Sequence, residues 1–169
     1  ESLSGEYRNA VADQYSNAAI DLCRRAFLLN SDMLSSESRQ NMALASYFGG
    51  LAIGSSFVGL VHPLSAALSV VFGIPHCRAN CIVMLAMEEF YPTYHEEFRN
   101  FLKRSGIKID GKFLDLSVSG VFKELREATI IHEKPLKNAL GIGCKDFLSI
   151  KRIESLFLKM EQELALQDN

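Results

Sequence analysis

The sequence predicts an all-α, multihelical domain, and three observations carry that prediction. Apolar residues recur at intervals of three and four over most of the chain. Capping and turn residues fall between these periodic runs, and no alternation of strand-like with helical segments appears. The 169 residues are enough for one domain, 1–169, with a real core.

Residues 1–7 form a lead-in. From Arg8 to Leu29, Ala10, Tyr15, Ala18, Ala19, Leu22, Cys23, Ala26 and Phe27 mark the apolar face of a first helix. Asn30-Ser31-Asp32 stops it. Ser35-Ser36-Glu37-Ser38 offers several N-caps for a second helix, which is expected to run to Val61. Pro63 opens a short helix over 63–72, and Gly73-Ile74-Pro75 is a stop and turn. His76 begins a helix expected to reach Phe90. Pro92 suits the first helical position of the next, which closes at Ser105-Gly106. Ile107 to Gly111 reads as a short extended piece. A further helix lies within Phe113–Ala128, with Ser117 or Ser119 as cap, and its Lys123, Glu124, Arg126 and Glu127 read as a solvated face. Gly141-Ile142-Gly143 is a turn, since neither a preceding strand nor a third glycine makes it a dinucleotide fingerprint. Ile150, Ile153, Leu156, Phe157, Met160 and Leu164 stripe a last helix over Ser149–Leu166.

The stretch from Met42 to Met87 organises the rest. No Asp, Glu, Lys or Arg occurs between Arg39 and Arg78, so the run is either the central layer of a soluble domain or a membrane hairpin. Gly50-x3-Gly54 permits tight helix pairing in lipid. Against the hairpin, Trp is absent, no Lys/Arg asymmetry flanks the segments, and histidine and proline interrupt the middle.

His62 and His76 sit inside this run, fourteen residues apart. An unbroken helix would separate them by about 21 Å. Two imidazoles on one ion need nitrogens only about 3–3.5 Å apart. They share a metal only if the segment between them folds back, which Gly73-Ile74-Pro75 allows. The alternative is a pair of hydrogen-bonded core or cap residues. Spacing alone leaves both readings open.

Gly59-Leu60-Val61-His62, Phe72-Gly73-Ile74-Pro75-His76 and Ala79-Asn80 together resemble the signature of the iron-containing (group III) alcohol dehydrogenases. The Lys134-Pro135-Leu136-x-Asn138-Ala139-Leu140-Gly141 segment extends the likeness, and Glu1-Ser2 resembles the residues just after that family's upstream Asp-x3-His ligand pair. The resemblance implies a domain of the dehydroquinate synthase-like type, with His62 and His76 as two of four ligands to a divalent metal, Fe or Zn. It also implies NAD(P) bound by an N-terminal dinucleotide-binding domain absent from this chain, with the Asp and His ligands falling just before Glu1. The reaction implied is hydride transfer from a primary hydroxyl, giving an aldehyde, within a homodimer. Two departures stand out. Ala66 occupies the place of a relay histidine, and Cys77 replaces the glycine after Pro-His. With His62-Pro63-Leu64-Ser65 they resemble the branch containing 3-deoxy-manno-octulosonate 8-oxidase, so a small-molecule alcohol or sugar acid is the expected substrate. The 169 residues alone are then expected to be inactive.

The remaining composition narrows the field. A net charge of −2 gives no electrostatic footprint for nucleic acid. Four cysteines do not make a disulfide framework, and Cys77 and Cys81, four apart, read as buried thiols. A cytoplasmic location without membrane contact follows as an expectation. The opening residues lack the basic and apolar regions of a secretory signal, and the missing initiator Met suggests a chain that starts inside a larger polypeptide or after processing. His95 and His132 read as surface residues and Asn80 as a brace on the metal-bearing helix. The competing functional reading is a helical interaction domain that binds no metal.

Overall fold

The computed structural model describes residues 1–29, 32, 34–112 and 114–167. Among them there are helices and turns and no strand, so the all-α prediction holds. They divide into two compact units, 1–58 and 59–169. No single helix among the described residues is long and apolar enough to cross a membrane.

Unit 1–58 is a pair of packed helices, α1 (Ala10–Arg24) and α2 (Ser36–Ser56). Asn9 caps α1 by accepting from the Ala12 N–H, while its amide donates to the Ser55 carbonyl at 2.9 Å. One side chain thus sets the start of one helix and holds the end of the other. A π-helical turn, Arg25–Leu29, follows α1, so the helical run ends where the periodicity placed it. Of the predicted stop, Asn30 and Ser31 lie outside the described residues. Ser35 is the cap of α2 and accepts from Ser38 N–H at 3.1 Å. Ala12, Ser16, Ala45, Ala52 and Ser56 are buried, so small side chains let the two backbones approach.

α2 ends at Ser56, five residues before the expected Val61. The cause is Phe57, whose φ of 78° and ψ of 159° lie in a region that L side chains rarely occupy. Its ring meets Tyr7 edge-on at 5.3 Å. Phe57→Gly and Phe57→Ala both lose that contact, but only glycine relieves the backbone. The glycine variant is therefore expected to exceed the alanine variant in stability by about 1 kcal/mol, the strain less glycine's entropic cost. Their urea midpoints check this, and a lower midpoint for glycine would contradict it.

Unit 59–169 is built around α3 (Val61–Phe72), whose Leu64, Ala67 and Leu68 are wholly buried. It packs against α4 (His76–Met84), α6 (Val121–Ile130) and α7 (Glu133–Leu140). Pro63 is tolerated within the first turn of α3, where backbone N–H groups lack helical partners anyway. Gly73, at φ 68°, ends α3 in the left-handed conformation the turn requires. α4 stops at Met84, short of the expected Phe90. A run of turns follows, pinned where the Leu60 N–H donates to the Tyr91 hydroxyl at 3.0 Å. α5 (Pro92–Ser105) starts on its proline and ends at left-handed Gly106, as read from the sequence.

Residues 107–111 form no strand among the described residues. They run close to α9 (Ile150–Ala165), where a Cβ on Gly111 would lie 2.7 Å from Leu164 Cδ1. Gly120, at φ 84°, starts α6 in place of either expected serine, and Ser117 is bonded instead to Asp115 at 2.6 Å. Phe113, the expected start of that region, lies outside the described residues. Arg126 departs from the solvated face assigned to it. It donates to the Leu148 and Lys145 carbonyls at 2.7 and 3.2 Å, holding the one-turn helix α8 (Cys144–Phe147). α9 buries Ile153, Leu156, Phe157, Met160 and Leu164 as expected, while Ile150 is exposed.

Candidate metal centre

The turn between α3 and α4 decides the geometry. His62 is the second residue of α3 and is half-buried; His76 is the first of α4 and is exposed. Gly73 reverses the chain and Pro75 is extended (ψ 135°). His76 thereby returns to the beginning of α3, and the two ring centroids lie 5.4 Å apart with planes at 51°. An ion bound at about 2.0–2.1 Å from one nitrogen of each ring, at ordinary ligand angles, sets the centroids roughly 4.5–5.2 Å apart. The observed spacing exceeds that by a few tenths of an ångström, within reach of small side-chain rotations.

Each histidine has local support. The His62 carbonyl accepts from Ser65 Oγ at 3.0 Å, tightening the first turn of α3. Asn80, one turn beyond His76, places its amide nitrogen 3.3 Å from His76 Nε2. The other end of that amide, Oδ1, is buried without a hydrogen-bond partner. Asn80 thus braces a histidine one turn away on the same helix. Among the described residues, no group of three or more His, Cys, Asp or Glu gathers where one ion would touch all of them.

The other candidates lie elsewhere. His95 is a correction: it is 5% exposed, and its Nε2 is 3.0 Å from the Leu85 carbonyl. His132 is half-buried at the N-cap position of α7. Ala66, half-buried, follows His62 by one turn of α3 and offers no titratable group. Cys77 is exposed, so the cysteines of α4 are not the buried pair expected. Cys81 is half-buried, and burial, then the neighbouring Cys77, pushes its thiol above the ordinary value. Less thiolate forms at a given pH, so Cys77 is expected to alkylate with iodoacetamide before Cys81 near pH 8. Peptide mass spectrometry over time reads the order; faster labelling of Cys81 would contradict it.

Residues 1–130 match the model of the Fe-containing alcohol dehydrogenase family, C-terminal. The chain belongs to that family. Within it, 116 residues are 32% identical to 1,3-propanediol dehydrogenase of Klebsiella pneumoniae, covering 66% of this chain and 29% of that protein. Alcohol dehydrogenase 4 of Schizosaccharomyces pombe is 35% identical over 54 residues, 32% of this chain and 13% of that protein. Lactaldehyde reductase of Escherichia coli K12 is 26% identical over 99 residues, 56% of this chain and 26% of that protein. The chain spans less than a third of the length of each. Helices α7 to α9 lie beyond the stretch that the family model matches.

Proposed function

We propose that this chain is the helical, metal-bearing part of a metal-dependent alcohol dehydrogenase or oxidase, with His62 and His76 as two ligands of one divalent ion. The observation that carries this reading is the 5.4 Å approach of two imidazoles fourteen residues apart. The remaining donors, a carboxylate and a third imidazole, belong to chain outside these 169 residues, as does the domain for NAD(P). Imidazole donors accept Fe or Zn comparably. When bound, such an ion supplies a Lewis acid that lowers the pKa of an alcohol hydroxyl.

The chain's own part is positional. His62 is fixed by a helix start wedged into the core, and His76 by a turn that Gly73 and Pro75 predetermine. Asn80 limits rotation of the His76 ring and so influences which nitrogen is offered. Ala66 leaves no imidazole one turn from His62 to relay a proton. The narrower reading, a primary hydroxyl on a sugar acid such as the terminal hydroxyl of 3-deoxy-manno-octulosonate, rests on the branch resemblance that Ala66 and Cys77 carry. A homodimer of the complete enzyme is part of the same proposal.

Cobalt(II) titration of the 169-residue chain tests the ligand assignment directly. Visible bands are expected to saturate weakly in the parent and to vanish in His62→Ala and His76→Ala. Unchanged bands in both variants would reject the pair as ligands. The same preparation is expected to show no measurable alcohol oxidation, because half the donors and the nucleotide domain are missing. Robust turnover at an intact mass matching 169 residues would overturn that part of the reading.

A further inference from the structure

We propose that Cys77 and Cys81 form a second metal site on α4, a two-thiolate clamp for one soft monovalent cation, copper(I). The site uses neither His62 nor His76, and it stands whether or not that pair binds an ion.

Helix geometry brings the two thiols together. Both lie within α4, four residues apart, so they share one face of the helix on consecutive turns. The neighbouring stripe shows that side chains at this spacing meet on this helix, since Asn80 reaches His76 at 3.3 Å. Cys77 and Cys81 each follow a member of that pair by one residue, which turns their stripe from it by about 100°. The thiols also sense one another. Burial first, and then the neighbouring Cys77, pushes the Cys81 thiol above its ordinary value. Cys77 is exposed and gives an ion its way in, while half-buried Cys81 shields it from solvent on the inner side.

The spacing selects the chemistry. A disulfide needs Cβ atoms about 3.5–4.5 Å apart. Residues four apart on a helix hold theirs about 5–6 Å apart, so oxidative pairing would unwind the start of α4. An ion between the sulfurs spans the gap with the helix intact. On the scale of a zinc–thiolate bond, about 2.3 Å, sulfurs on opposite sides of one ion lie about 4.6 Å apart. The donor count then decides between soft ions. Zinc takes four ligands, and among the described residues no third His, Cys, Asp or Glu joins these two at a common point. Copper(I) seeks thiolates and is satisfied by two of them in line. Charge agrees with this choice. Two thiolates and one monovalent cation leave a single negative charge, and the first turn of α4, where Cys77 sits, has neither a side-chain cap nor an acidic residue. The positive end of the helix dipole stabilises that charge. Copper enters and remains as copper(I). Each thiol releases its proton to solvent as its S–Cu bond forms, and no electron is transferred.

The test titrates the full chain, reduced and under nitrogen, into the coloured copper(I)–bicinchoninate complex. One copper per chain is expected to leave the chelator, and native mass spectrometry should show it on single chains. Cys77→Ser and Cys81→Ser should each weaken capture at least about tenfold, whereas Cys23→Ser should change it by less than about twofold. Because Cys77 is exposed, Cys77→Ser should keep the parent's circular dichroism, which separates lost binding from lost fold. X-ray absorption of the copper-loaded chain should show two sulfur neighbours and no imidazole. No uptake, capture that survives the loss of either thiol, copper bridging two chains, or an imidazole neighbour would each overturn the site.

Discussion

With His62 and His76 as the proposed ligands, replacing either by alanine in the complete enzyme of that proposal is expected to abolish alcohol oxidation, by about 10³-fold or more in kcat/KM, together with bound metal. Removing groups that merely orient metal ligands already costs about 10–100-fold in affinity or activity. Loss of a donor removes a bond to the ion itself, so the effect must be larger. The two rings lie 5.4 Å apart and act on one ion in this reading, so their effects should not add. The double variant is expected to be no worse than either single one. His132→Ala serves as the control, because His132 sits at the start of α7 and takes no part in the pair. Near-normal turnover and metal content in either single variant would falsify the ligand assignment.

What made the approach of the two rings legible was punctuation, not periodicity, while the family resemblance singled out the pair as candidate ligands. Gly73 and Pro75 are strong local signals, and they alone turn a 21 Å axial separation into an approach of ring to ring. The stripe of α9 was equally readable, because five apolar residues share one face and all five are buried. The end of α2 was not readable. No proline or charge occurs in the six residues after Ser56, and the break is made by Phe57 in a conformation that its residue type disfavours. Tertiary structure imposes that kind of stop, and propensity carries no record of it.

His95 was misplaced for a different reason. Its neighbours Tyr94, Glu96 and Glu97 suggest an exposed surface, but the informative spacing is longer. Tyr91, His95, Phe98 and Leu102 recur at four, three and four residues, and this stripe faces inward: Tyr91 and His95 are buried and Phe98 and Leu102 pack on the core. A buried imidazole requires a partner, which the Leu85 carbonyl supplies. The start of α6 shows the same competition in miniature. Two serines offered caps, but Asp115 holds Ser117, and left-handed Gly120 makes the entry instead.

Phe157→Ala is expected to be the most damaging single change to the stability of unit 59–169, at about 3–5 kcal/mol. The ring is wholly buried on α9 and belongs to the core that includes Leu64 of α3, Ile82 of α4 and Leu125 of α6. Truncation leaves a cavity that backbone elements on several sides cannot all relax to fill. Typical domains hold only about 5–15 kcal/mol of stability, so a large share would be lost. Ile150→Ala, at the start of the same helix but 48% exposed, should change stability by no more than about 0.5 kcal/mol. The comparison matters for function because α9 packs on α4, which begins with His76. If α9 is part of the frame that holds the histidine, cobalt binding by Phe157→Ala should fall in step with its unfolded fraction and recover on cooling toward its stability maximum. A loss of binding while the unit stays folded would instead place Phe157 in the positioning of His76 itself. A cost below about 1 kcal/mol would mean that α9 is not part of the core at all.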